Sequence, residues 1–136
     1  MLEQNPKTVK IVFKNFPIRS HKFAVPAAVA ALAADRQGKF WDFHDELFNN
    51  YNRLNEEKVQ EIVAKLKLNT AQFEKDRKDP LLLEQVRFDV NEGIQAGVKG
   101  VPSVFVNGRK LKDRSLQGFQ TQIDKEIENL NLKQKK

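Results

Sequence analysis

Between Val9 and Phe13 the chain reads VKIVF, an almost unbroken apolar and β-branched run closed by Asn15-Phe16-Pro17. Such a run predicts a short strand buried on both faces, as in the interior of a parallel sheet. The pattern then turns helical. Phe23 to Gln37 is rich in alanine, with Pro26 in a first turn and Gly38 at the stop, which predicts a helix that packs closely against a neighbour. Phe40, Phe43, Leu47, Phe48 and Tyr51 recur at helical spacing over Lys39 to Tyr51, and this aromatic stripe is expected in the core.

Capping signals mark three further helices. Asn55, followed by Glu56 and Glu57, precedes a helix with Val59, Ile62, Val63 and Leu66 on its inner face. Asn69 with Gln72 has the form of a capping box. Asp79-Pro80 opens a long helix ending near Gly97, whose buried face is predicted at Leu83, Val86, Val90 and Ile94. Ser103 to Val106, Asn107-Gly108 and Arg109 to Leu111 then predict a hairpin, because Asn-Gly accepts the positive φ values of a type I′ turn. Ser115 caps a last helix with Leu116, Phe119, Ile123, Ile127 and Leu130 inward. The order is strand, about five helices, hairpin, helix, without repeat or low-complexity linker. It predicts one α/β domain over residues 1–136 with a small sheet and a large helical layer.

Composition narrows the chemistry. With 136 residues and 40% hydrophobic content the chain is long enough to bury a core unaided. It has no cysteine, so thiolate zinc sites and covalent cysteine chemistry are excluded, and His21 and His44 alone are a poor basis for a metal site. No metal, no cofactor and no catalytic residue is expected. No stretch approaches the roughly 20 apolar residues needed to span a bilayer, and the start shows no apolar run of a signal peptide. The net charge of +6 favours anionic partners, but the lysines are dispersed and only Lys133 to Lys136 cluster. A nucleic-acid interface, which would place a basic helix or interleaved aromatics on one face, is not expected.

Individual polar residues read as structural. His44 sits among Phe40, Phe43 and Leu47 without an evident nucleophile, and His21 lies by the turn after the first strand. Asp45 with Glu46, and Glu56 with Glu57, are adjacent on helices and point apart. Trp41 beside Phe40 is expected to pack on a neighbouring helix. His44-Asp-Glu-Leu47 spells a retention signal that is read only at a C-terminus.

The segments VKIVFKNFPI, His21 with the alanine-rich helix, QGKFWDFHDELFNN, LKLNTAQFEKD and GVKGVPSVFVNGRKL, in that order, resemble the DsbA-like branch of thioredoxin-fold oxidoreductases from about Val9 to Leu130. The resemblance implies an incomplete thioredoxin-like α/β fold, with a helical insertion over about residues 23–97 between the first strand and the C-terminal hairpin. In the family a strand and a helix carrying C-x-x-C precede the strand matched by Val9 to Phe13, and this chain lacks that unit. The absent strand normally lies between those matched by Val9 to Phe13 and Ser103 to Val106, so two sheet edges are left to pair elsewhere. Either the chain is a fragment of a longer enzyme, or it closes its sheet by rearrangement or by pairing between chains. The fragment reading is preferred, since Met1 a few polar residues before a family-matching strand is what a downstream start codon or cloning boundary produces. A homo-oligomer joined through the unpaired edges is expected.

The resemblance assigns substrate binding to Val101 and Pro102. A cis proline in this loop leaves the preceding residue's backbone free to pair with an extended substrate segment, and valine replaces the threonine many relatives carry there. The parent activity is dithiol-disulfide exchange with protein or peptide thiols, outside the cytoplasm in most relatives. This chain keeps the clamp and lacks the thiolate that the chemistry needs. Two other classes are compatible with the residues: a non-catalytic peptide-binding or chaperone-like module, and a relative of kappa-type glutathione transferases and isomerases.

Overall fold

The computed structural model describes residues 1–135. Six helices and one hairpin follow each other among them: α1 (Ala24–Asp35), α2 (Phe40–Asn49), α3 (Glu56–Lys65), α4 (Thr70–Arg77), α5 (Pro80–Gln95), β1 (Phe105–Val106), β2 (Arg109–Lys110) and α6 (Leu116–Gln134). The chain divides into two compact units, Lys14–Gly97 and Met1–Phe13 with Val98 onward.

The Lys14–Gly97 unit is built around α1. Ala27, Ala30, Ala31, Ala33 and Ala34 are all buried, and their small side chains let α2, α4 and α5 pack on α1. Ala30, Ala31, Ala33 and Ala34 share one core with Phe43, Val59, Ile62, Val63, Leu68, Phe73 and Leu82. Phe43 and Phe73 stack at its centre, with ring centroids 5.7 Å apart.

The predicted caps form at Asn55, Asn69 and Asp79, whose side chains accept from the backbone N–H groups of Lys58, Gln72 and Leu81. The capping box at Asn69 is only half made. Gln72 does not return to the Asn69 N–H; its amide donates to Asp76 at 3.0 Å. Gln37, from the turn after α1, takes that place: its Oε1 accepts from Asn69 N at 2.9 Å and its Nε2 donates to Asn69 O at 3.1 Å. Along α5 the buried side chains are Leu82, Val86 and Asp89, and Ile94 is exposed. The Asp89 carboxylate is fully engaged: Oδ2 accepts from the backbone and side-chain N–H of Asn15, at 2.9 and 2.8 Å, and Oδ1 from Gln85 at 2.9 Å. These bonds fasten the segment around Asn15 to α5.

Two expectations need correction. Val9 to Phe13 is no buried strand: it is not in a ladder, and Ile11, Val12 and Phe13 are exposed, Val12 by 65%. Strand burial depends on a neighbouring strand, and the only sheet among the described residues is the antiparallel β1–β2 pair. The aromatic stripe of α2 is likewise divided. Phe43 is buried and Phe40 and Leu47 pack partly against the core, whereas Trp41, Phe48 and Tyr51 are exposed. The two sets are offset by one residue, about 100° around the helix, so only one of them can face α1.

The second unit contains the hairpin and α6. Val106 faces Arg109 and Phe105 faces Lys110 across the ladder, and Leu111 N donates to Val104 O at 2.8 Å beyond it. Leu111 and Ile123 are its buried apolar residues; Leu116 and Leu130, expected inward on α6, are exposed. The N-terminal segment is tied to α6 by Asn5 Nδ2, which donates to Gln120 Oε1 at 2.8 Å.

Candidate peptide-binding loop

The hairpin sets the geometry of the loop before it. Asn107 and Gly108 have φ values of 47° and 78°, the paired positive angles of a type I′ turn. This turn fixes the register that carries Val104 and Leu111 opposite each other. Upstream, the Val101-Pro102 peptide bond is cis. Ser103 Oγ donates to Gly100 O at 2.7 Å and closes a small loop around the two residues. Val101 is 45% exposed, and its backbone forms no hydrogen bond among the described residues. An open N–H and C=O on an exposed backbone are groups that an incoming peptide segment can pair with.

Arg114 supports the loop from the far end of the hairpin. Its Nη1 donates to Pro102 O at 2.8 Å, a bond across 12 residues that no sequence pattern announces. The residues on either side of Arg114 are themselves hydrogen-bonded. Asp113 Oδ1 accepts from Ser115 N at 2.9 Å, and Ser115 Oγ accepts from Gly118 N at 3.0 Å to cap α6. The bond from Ser115 N, helped by the Ser115 hydroxyl, holds the Asp113 carboxyl below its ordinary 3.8. Gly118 allows this close turn, because a Cβ there would lie 2.3 Å from the Asp113 carbonyl oxygen.

The other residues singled out by sequence lie in the Lys14–Gly97 unit. His21 is exposed in the turn before α1, where its N–H donates to Ile18 O at 3.1 Å. His44 stands among aromatic rings, 4.6 Å from Phe48 and 5.3 Å from Trp41, with Nδ1 3.0 Å from Asp45 Oδ1. Among the described residues no group of His, Asp or Glu is placed to hold a metal ion, and no helix is long and apolar enough to cross a membrane.

A family profile described as thioredoxin matches residues 3–125. The chain belongs to this thioredoxin family. Its place is in the DsbA-like branch: the probable disulfide bond formation protein D of Bacillus anthracis is 32% identical over 127 residues, covering 88% of this chain and 58% of that protein. The protein of the same name in Bacillus cereus matches to the same extent. The Na(+)/H(+) antiporter NhaA 3 of Salinispora tropica is 32% identical over 104 residues, 76% of this chain but 16% of the antiporter. The chain thus spans 58% of the length of the disulfide bond formation proteins it matches. No solved structure matches it. Among the described residues the thioredoxin-like fold is present as six helices and a two-stranded sheet, and the sequence has no cysteine pair of a redox site.

Proposed function

We propose that this chain is the substrate-clamping part of a DsbA-like protein disulfide oxidoreductase. It binds extended segments of protein or peptide thiol substrates at Val101-Pro102 and does not exchange disulfides by itself. One observation carries the reading: Val101 offers an exposed, unengaged backbone beside a braced hairpin, in a sequence that contains no sulfur nucleophile. Disulfide exchange proceeds by thiolate attack, so a chain without cysteine supplies only the binding half. The likeness to proteins named for disulfide bond formation supports the parent activity. We further propose that residues 1–136 act as parts of one thioredoxin-type domain whose helical insertion is the α1–α5 segment. In this reading the exposed Val9 to Phe13 segment pairs with a second copy of the chain.

The purified chain is expected to give no rate above buffer in insulin reduction or dithiol oxidation, while still binding an extended cysteine-containing peptide. Val101→Pro, which removes the N–H that such a peptide pairs with, should weaken that binding by about tenfold, the loss of one or two hydrogen bonds. Measurable redox turnover, or binding indifferent to Val101→Pro, contradicts the proposal.

A second reading, a non-catalytic peptide-binding module, draws support from the antiporter match, in which this sequence pattern occupies a small share of a long protein.

A further inference from the structure

We infer that the Val101-Pro102 loop selects segments carrying a carboxylate, and that Arg114 reads that charge while it braces the loop. The inference rests on the clamp proposed above and adds the chemistry of what the clamp takes.

Residues 98–114 contain five cations, Lys99, Arg109, Lys110, Lys112 and Arg114, against the single carboxylate of Asp113. Most of the chain's net charge of +6 is therefore held in this stretch. Little of it is neutralised. Arg109 Nε pairs with Glu126 Oε1 at 3.1 Å, and among the described residues the other four cations form no ion pair. Asp113 is already occupied by Ser115 N.

Arg114 is the best placed of these cations. Its Nη1 is anchored on Pro102 O, the carbonyl next to Val101, at 2.8 Å. A guanidinium has five N–H donors, so one bond to the loop leaves others for an incoming group. Because the anchor fixes where the guanidinium sits, a segment paired with the Val101 backbone meets a positioned cation rather than a freely moving one. A carboxylate on the bound segment gains a charge-assisted bond there, and an ammonium meets repulsion from Arg114. The exposed setting keeps the effect modest and sensitive to salt.

The test uses three extended peptides of one apolar sequence that differ only at two central positions, both Glu, both Gln or both Lys, titrated calorimetrically into the wild-type chain. The expected order is Glu, Gln, Lys, with about fivefold tighter binding of the Glu peptide than the Lys peptide at low salt, and a smaller ratio at high salt. Arg114→Gln removes the charge and keeps an N–H donor on a shorter side chain. It should bring the Glu-to-Lys ratio down to about twofold, and because all three peptides share the loop, any loss of bracing lowers their affinities together and leaves the ratio to report the charge. Equal affinity for Glu and Lys peptides, or a ratio unchanged in Arg114→Gln, overturns the inference and leaves the clamp standing. Failure of all three peptides to bind rejects the clamp and the inference together.

Discussion

At Gly118 two opposing effects can be weighed. Alanine inside a helix is ordinarily about 1 kcal/mol better than glycine. Here its Cβ would lie 2.3 Å from the backbone oxygen of Asp113 and 2.5 Å from that residue's Cγ. Backbone cannot swing aside as a flexible side chain can, so the Asp113–Ser115 turn must move, which costs about 1–3 kcal/mol. Gly118→Ala is therefore expected to lower stability by up to about 2 kcal/mol in denaturant titration, and a gain in stability would show that the turn relaxes freely. The residues of this turn were only partly legible in the sequence. Ser115 was recognisable as a cap, because capping is local. The bond from Arg114 to Pro102 was not, because it joins residues 12 apart through a hairpin whose path must first be known.

Among the elements, helix ends were the most legible feature, since a cap and its N–H partner lie within three residues. Helix faces were less so. On α2, Phe40-Phe43-Leu47 and Trp41-His44-Phe48 both meet helical spacing, and only the position of α1 decides which set is buried. The link between α3 and α4 was also not visible, as it needs Glu56 and Arg77 to meet across two helices. Arg77 Nη1 and Nη2 hold the two Glu56 carboxylate oxygens at 3.0 and 2.6 Å, and Nη2 also reaches Glu74 at 3.0 Å. The bond to Arg77 keeps the Glu56 carboxyl below its ordinary 4.5. A lowered folded-state value means that this stabilisation is fully present above pH 4.5 and is lost as pH falls through the folded value. Glu56 is more than half exposed, so solvent screening limits the effect to about 1 kcal/mol or less. Glu56→Gln should destabilise the chain slightly at neutral pH, and the difference from wild type should close in acid. A difference that persists at pH 3 would assign it to packing rather than charge.

For the whole molecule, the helix-rich α/β character and the thioredoxin-like family were legible in the sequence, because the order of segments carries them even where each segment is weak. The state of Val9 to Phe13 was not, since a strand is defined by a partner distant in sequence or on another chain. Three consecutive apolar residues, Ile11 to Phe13, lie exposed there, and an exposed apolar run of that kind favours burial against a second chain. Light scattering on the purified chain is expected to give a mass above the 15.7 kDa of one copy, reduced towards it by Val12→Lys; a single-copy mass across a concentration series contradicts edge pairing. The clamp itself is tested most directly by an amide-resolved NMR titration of the wild-type chain with an extended cysteine-containing peptide. The account predicts that the Val101 N–H moves most, with Ser103 and Val104 next. Shifts confined to residues of α1–α5, with Val101 unmoved, would contradict it.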